Sequence, residues 1–386
     1  MATDCDVIVV GLGGMGSAAA CQLARRGLRV LGIEQFGPAH SFGSSHGGSR
    51  IVRKAYFESP AYVPMLMRSY QLWDELSAEF GEQLFTRCGA LMMGDRQSPV
   101  VTGALASASR WRLPYELLDA AELRRRYPQF QLPPEQWAVY EADAGYAMPE
   151  AAVLANLELA IDAGAELWFD TVVESVELGA DGVHVGAADE ELRAPKVVLA
   201  TGAWADRLAR LDRLPLTVTR QSVHWFATER PADFAAERFP VYLWDAPVPA
   251  GTPDVQLYGF PWLPRETGVK AALYRDSSTV PVDPDKLDRT VTARDVLPVR
   301  ELLARLLPDL SGEPVGSSIC MYPAAAGDDF VLGMHPGSSG RVVLAVGFAG
   351  HGFKFSPVVG EIVADLVTTG ASRLDIGFLS PDRFER

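Results

Sequence analysis

No stretch of this chain is apolar for long enough to cross a bilayer, and no charged-then-apolar leader precedes its first strand. The expectation is a cytoplasmic protein with no membrane partner. Basic blocks are missing as well. The net charge is −14, which argues against nucleic acid and anionic surfaces as partners. Cysteine is scarce: Cys5, Cys21, Cys88 and Cys320 lie far apart and form no C-x-x-C pair. That spacing offers neither a zinc site nor the disulfide framework of a secreted domain. The six histidines show no H-E-x-x-H or similar metal-ligand spacing, so no metal is expected. Internal repeats and low-complexity tracts are absent too.

What is present begins at once. Val7 to Val10 is an unbroken apolar, β-branched run, as a strand buried on both faces requires. Gly11, Gly13 and Gly16 follow at the G-x-G-x-x-G spacing. Ser17 to Arg26 has helical composition, Gly27 suits a C-cap, and Leu28 to Ile33 reads as a second strand closed by Glu34. A glycine triplet alone is weak, but strand, glycines, helix, strand and acid in this order form a dinucleotide fingerprint. Gly11 allows the tight turn, Gly13 lets backbone approach a pyrophosphate, and Gly16 lets the helix pack close to the sheet. The helix N-terminus offers N–H groups to phosphate. Glu34 would accept from a ribose hydroxyl, which favours FAD or NAD over NADP.

The segment from Phe36 to Arg53 is long, irregular and rich in Gly, Ser and His, a composition more often functional than structural. Its end, His46 to Arg53, gathers three potential cations in an acidic protein and suits an anion or a reduced flavin. Beyond it the pattern predicts a helix over 62–80, a strand over 85–93, a short helix over 121–127 and a Pro- and Gln-rich connector over 128–140. A helix over 150–163, a strand over 166–172, a hairpin over 173–194 turning at Asp181-Gly182, and a buried strand over 196–200 follow. Thr201 to Trp204 then repeats the strand, small residues, helix order that sets backbone against a cofactor. Strands over 218–227, 241–244, 255–260 and 268–274 suggest an antiparallel sheet carrying substrate-facing side chains. A helix over 295–307, an extended stretch over 314–322, strands over 331–334 and 342–346, and a helix over 357–366 complete the reading. The predicted class is α/β, or two-domain α+β. A Rossmann-like FAD-binding domain (1–80, 145–214 and 325–386) would carry an inserted antiparallel-sheet substrate domain (81–144 and 215–324).

Four motifs give the chain a family resemblance: DVIVVGLGGMG, SSHGGSRIVR, ICMY around Cys320, and GFAGHGFKFSPVVGE from Gly347. Together they resemble the monomeric sarcosine oxidases, within the flavin amine oxidases that include N-methyltryptophan oxidase. The match runs from Asp6 to about Gly370. The resemblance implies FAD held covalently by a thioether on Cys320, with Met321 beside it. It implies flavin contacts from Gly11, Gly13, Gly14, Met15 and Gly16, from Glu34 and Gln35, and from Ser44, His46, Ser49 and Arg50. Further contacts would come from Val173, Thr201, Gly202 and Trp204, and from Phe348, Gly350, His351, Gly352 and Lys354.

The same resemblance assigns roles. Arg50 and His46 lie beside the ring, with Arg50 stabilising its reduced form. Arg53 and Lys354 grip a substrate carboxylate, as an Arg fork and a Lys point charge can. Tyr258 and Tyr322 line the pocket. Lys270 activates oxygen, because a fixed cation lowers the energy of superoxide. Where sarcosine oxidases carry a pocket histidine, this chain has Tyr274. Trp244, Trp262 and Tyr258 around it suggest room for larger N-substituents. The implied activity is oxidation of a secondary amino acid, sarcosine as reference, to an imine that hydrolyses to an aldehyde and a primary amino acid. O2 would become hydrogen peroxide, and the enzyme would be a monomer. A preference for bulkier N-alkyl or cyclic amino acids, or a flavin dehydrogenase using another acceptor, are the alternatives.

Overall fold

The computed structural model describes residues 5–208, 216–248, 255–263, 265–274 and 280–384. Val7–Val10 sits inside a six-stranded sheet. The order is Val331–Met334, Val342–Val346, Lys196–Leu199, Val7–Val10, Val30–Ile33 and Glu166–Trp168. All neighbours run parallel except the first pair. The opening run is apolar at every position because both faces of this sheet are covered. Val7 and Val9 face a helical layer, whereas Ile8 and Val10 face a three-stranded meander of Val173–Leu178, Val183–Ala187 and Glu190–Ala194.

The helical layer is made by Gly14–Arg25, flanked by Pro149–Asp162 and Ser356–Thr369. Ala18, Ala19 and Ala20 of the first helix are buried. The third helix approaches so closely that a Cβ on Gly360 would lie 2.6 Å from the Ala18 carbonyl oxygen. Small residues at that crossing fix how near the glycine turn lies to the Phe353–Phe355 turn ahead of the third helix.

The second large sheet has eight strands, in the order Pro314–Ala325, Leu216–Phe226, Val269–Leu273, Gln256–Trp262, Val241–Asp245, Ala90–Asp95, Gln136–Glu141 and Glu116–Asp119. One join, Val241–Asp245 with Ala90–Asp95, is parallel and the others are antiparallel. One face packs on the helix Ala293–Leu306, and the other on the helix Pro99–Trp111. A three-stranded sheet of Arg50–Val52, Gly145–Ala147 and Phe85–Arg87 lies apart from both. The chain is thus α/β, with a largely parallel nucleotide-type sheet and a largely antiparallel one. Among the described residues no helix is long and apolar enough to cross a membrane.

Several elements depart from the sequence reading. The connector over 128–140 contains the strand Gln136–Glu141, paired on both sides. Pro133 and Pro134 end before it, and the run QWAVYE was masked by its polar ends. The helix Pro99–Trp111, capped by the Ser98 side chain, was not anticipated. The strand over 85–93 is two strands in two sheets. Gly89, at φ +78°, turns the chain between them where a Cβ would lie 2.6 Å from the Tyr140 ring. The hairpin over 173–194 is a three-strand meander with a second turn at Ala188-Asp189, both at positive φ. The 166–172 strand stops at Trp168. Trp244 and Trp262 pack on the Ala293–Leu306 face, away from the pocket proposed for them, and Trp244 Nε1 donates to Gln136 Oε1 at 2.7 Å.

Candidate active site

The glycine turn opens a long cavity of about 360 Å³. Gly11 has φ +86°, and a Cβ there would lie 2.6 Å from the Ala200 carbonyl oxygen. At Gly16 a Cβ would run into the Gly11 carbonyl oxygen. Only glycine fits either place. Glu34 is fixed on the wall: Oε2 accepts from Leu12 N at 2.8 Å and Oε1 from Phe36 N at 3.1 Å. From there the cavity runs past Gln35, Val173, Thr201, Gly202 and Trp204. It ends against Ser44, Arg50, Tyr322, Phe348, Gly350 and Gly352, with Gly13, Gly14 and Met15 on its floor. The cradle, the helix N-terminus and the length of this space fit a dinucleotide cofactor such as FAD.

The polar loop is stitched to both ends. Ser45 Oγ accepts from Gly14 N at 3.0 Å, and Ser44 Oγ donates to the Met321 carbonyl at 2.7 Å. Arg50 donates to the Ser49 and Ser44 carbonyls, each at 2.8 Å, and its Nη2 lies 4.0 Å from Cys320 Sγ. Cys320 and Tyr322 share a face of the strand Pro314–Ala325, two residues apart. Cys320 is buried beside the cavity end, and Met321 points the other way into a small cluster with Ala203 and Val218. His46 is buried with Nε2 unpaired among the described residues. Burial, then the charges of Arg50, Arg289 and Lys270, pushes its pKa down to about 3, so it is neutral.

A second cavity, of about 70 Å³, adjoins the first. Arg50, Tyr322, Gly350 and Phe353 line both. The remaining walls include Arg53, Glu58, His351 and Lys354, with Leu243, Tyr258, Phe260 and Tyr274 from the large sheet. Tyr258 and Tyr322 hydroxyls are 3.4 Å apart, and Tyr274 donates to the Ala349 carbonyl at 3.3 Å. Lys354 Nζ donates to the His351 carbonyl at 2.5 Å; its own carbonyl is held by Ser69 Oγ and Trp73 Nε1. Burial, and then the charge of Arg53, pushes Lys354 down to about 7. His351 Nε2 donates to the Asp328 carbonyl at 3.2 Å and Nδ1 accepts from Tyr56. That pairing fixes a neutral ring, and burial pushes its pKa down to about 3. Both its nitrogens are used inside the chain.

Arg53 differs from its expected state. Its Nη2 meets both oxygens of Glu58, at 3.0 and 2.8 Å, and its Nη1 donates to the Ala55 carbonyl at 3.1 Å. The fork expected to grip a ligand already grips a buried carboxylate. Lys270 is also held: Nζ donates to the Gly47 and Ser49 carbonyls and to Ser49 Oγ, at 2.6, 3.0 and 3.3 Å. It lies on the wall of neither cavity. Burial, then the charge of Arg50, pushes it down to about 7.

Four acids escaped the sequence reading. Glu58 holds Arg53. Glu141 accepts from Lys54 N and Ala55 N, holding the end of the Arg53 segment. Glu150, in the first turn of its helix, accepts from Gly47 N at 2.5 Å and from Gly48 N at 3.1 Å. Glu266 lies against Gly48. No motif marks any of them: Glu141 and Glu150 act on groups about a hundred residues away, and Glu58, though only five residues from Arg53, belongs to no recognised spacing.

Comparison with known proteins agrees with this geometry. Residues 6–366 match the family described as FAD dependent oxidoreductase. The monomeric sarcosine oxidase of Streptomyces avermitilis is 44% identical over 380 residues, 98% of this chain and 97% of that protein. The N-methyl-L-tryptophan oxidase of Yersinia pseudotuberculosis is 32% identical over 99% of this chain and all of that one, a coverage of 100%. Among solved structures, NikD, an amino acid oxidase essential for nikkomycin biosynthesis, aligns with a TM-score of 0.86 and 28% identity, covering 98% of this chain and 97% of its own.

Proposed function

The chain belongs to the FAD-dependent oxidoreductases, and we propose that it oxidises the C–N bond of N-methyl and related N-substituted amino acids, with sarcosine as the reference substrate. One observation carries this reading: the dinucleotide cavity ends on the walls of a small pocket lined by two buried cations, Arg53 and Lys354, and one carboxylate, Glu58. Such a pocket has a net positive charge and suits a single carboxylate. FAD held there would supply two-electron redox chemistry, by which two electrons and two protons from the amine would end on dioxygen as hydrogen peroxide.

The chain's own residues do the rest. Among the described residues Lys354 has one carbonyl partner for its three N–H groups, and it turns the others toward a substrate carboxylate. Arg53 joins it when Glu58 lets go. The same cations favour the neutral amine, because a like charge disfavours an ammonium. That neutrality is required, since an ammonium has no lone pair to drive loss of hydrogen. Tyr258, Tyr322 and Tyr274 wall off water and set the room for the N-substituent. Arg50 supplies positive charge at the cavity junction, and Lys270 supplies it behind the Gly47 loop for oxygen reduction. Cys320, beside Arg50, carries the flavin by a thioether. We take the enzyme to work as a cytoplasmic monomer.

The test is an amine panel in air, scored by peroxide, with absorbance of acid-precipitated protein. N-methyl amino acids should release peroxide, the same amines without a carboxylate should not, and the precipitate should stay yellow. A colourless protein, or equal rates without the carboxylate, ends the reading. A yellow protein whose flavin stays in the supernatant removes only the thioether.

A further inference from the structure

Glu266 is an acid near the site that, among the described residues, forms no ion pair at contact distance. Both its carboxylate oxygens are shielded from solvent and neither meets a donor in good hydrogen-bond geometry among the described residues, although the Trp225 side chain lies beside it and favours its charge. A buried carboxylate without donors costs free energy and calls for an explanation. Its surroundings supply one. The carboxylate presses on Gly48, on the side where any other residue would carry its Cβ. Lys270 lies over the preceding residue, 3.7 Å from the Cβ position of Gly47, and donates to the Gly47 carbonyl at 2.6 Å. The two charged groups therefore meet the same bare stretch of loop, where both glycines have positive φ, of +93° and +79°.

We propose that Glu266 is a positioning residue for Lys270, the counter-ion that keeps its buried ammonium cationic across the Gly47–Gly48 backbone. The proposal rests on Lys270 being the cation used in oxygen reduction. Every other charged group facing Lys270 is already engaged or works against its charge. Arg50, from the strand Arg50–Val52, repels it. Glu150 attracts it but spends its oxygens on Gly47 N and Gly48 N. Cys320 lies two strands away, beyond Leu216–Phe226, and as a thioether would carry no charge, and His46 is neutral. The three donors of Lys270 are saturated by the loop, so the group offers charge, not a hydrogen bond, and that charge depends on a nearby anion. Glu266 in turn is held above the usual carboxylate range by burial, against the pull of Lys270.

The experiment is Glu266→Gln, which keeps shape and removes charge, beside Glu266→Asp, which keeps charge. Flavin reoxidation by oxygen is followed against pH. Its midpoint should fall by about one unit in Glu266→Gln, an approximately tenfold loss above the midpoint that acid restores, and should hold in Glu266→Asp. A loss equal at every pH, or the same midpoint in all three proteins, overturns the proposal. A second readout needs no turnover: 13C at Lys Cε, assigned with Lys270→Met, reports the ammonium midpoint directly. If Glu266→Gln does not fold, the wild type still decides, because the Glu266 carboxyl and Lys270 must then titrate with shared steps. Independent steps sink the idea. Should Lys270→Met reoxidise normally, the oxygen reading fails, and the 13C midpoint still judges the pairing alone.

Discussion

Lys270 and Lys354 are the same side chain under nearly the same burial, 1% and 5% exposed, and each is pushed down to about 7. They differ in what their N–H groups meet. Lys270 has three acceptors, all from the Gly47–Ser49 loop, and lines neither of the two cavities. Lys354 has one among the described residues, the His351 carbonyl, and lines the small cavity beside Arg53 and Glu58. An ammonium carries three donors, so the first is saturated by the chain and the second is not. Burial alone therefore says little about a cation's task. The count of unspent donors separates a fixed source of positive field from a ligand grip.

The sharpest way to break that comparison is to remove each amine. Lys354→Met should raise KM for N-methyl amino acids by roughly 30–100-fold, the worth of a charge-assisted hydrogen bond from a buried cation. Lys270→Met should leave KM near its starting value and slow flavin reoxidation by about 100-fold. Stopped-flow reduction without oxygen, followed by mixing with oxygen, separates the two steps. If both variants lose substrate affinity alike, counting donors has no predictive value here.

A smaller effect lies in stability against pH. Each lysine has a folded pKa of about 7 against an ordinary 10.5. Between those values the unfolded chain holds a proton that the folded one has released, so stability rises with pH across that window. Either Met variant should remove part of the rise. An unreactive carboxylate such as acetate should flatten the Lys354 part alone, because it restores that lysine's proton and cannot reach Lys270. Thermal midpoints from pH 7 to 10, with and without acetate, check this. Equal acetate effects on the two variants would count against the division.

Much of this site could be read from the chain. The glycine turn, Glu34, Arg50 and Tyr322 all lie on the large cavity, and Arg53, Lys354, Tyr258 and Tyr274 on the small one, because motifs keep neighbours in sequence close in space. What stayed hidden is the set of acids. Glu141, Glu150 and Glu266 face loops that only tertiary packing brings near, Glu58 sits five residues from Arg53 without a motif, and in a chain with 49 acidic residues none stands out. The strand Gln136–Glu141 was lost for a related reason. Its apolar run, Trp137 to Tyr140, is only four residues long and stands between polar ends after a Pro-rich stretch, so its pairing with two neighbouring strands did not show. Trp244 shows the opposite error. Its place near pocket residues in sequence said nothing about which face of the sheet it takes.

Glu58 gives the smallest and most discriminating effect, because its removal acts on the two cations in opposite ways. Glu58→Gln frees the Arg53 fork, which should lower KM for a carboxylate substrate by roughly threefold, less than a full bidentate pair is worth. Yet the Glu58 charge also helps Lys354 keep its proton against burial and Arg53. Without it Lys354 turns neutral at lower pH, and the grip weakens just where Arg53 has been released. The gain should therefore appear below pH 7 and fade or reverse above it. The variant should also be less stable, since Arg53 is left as a buried charge without its partner. KM measured from pH 6 to 9 decides the matter. A gain that persists to high pH would mean that Arg53 alone holds the carboxylate and that the open donors of Lys354 do not matter.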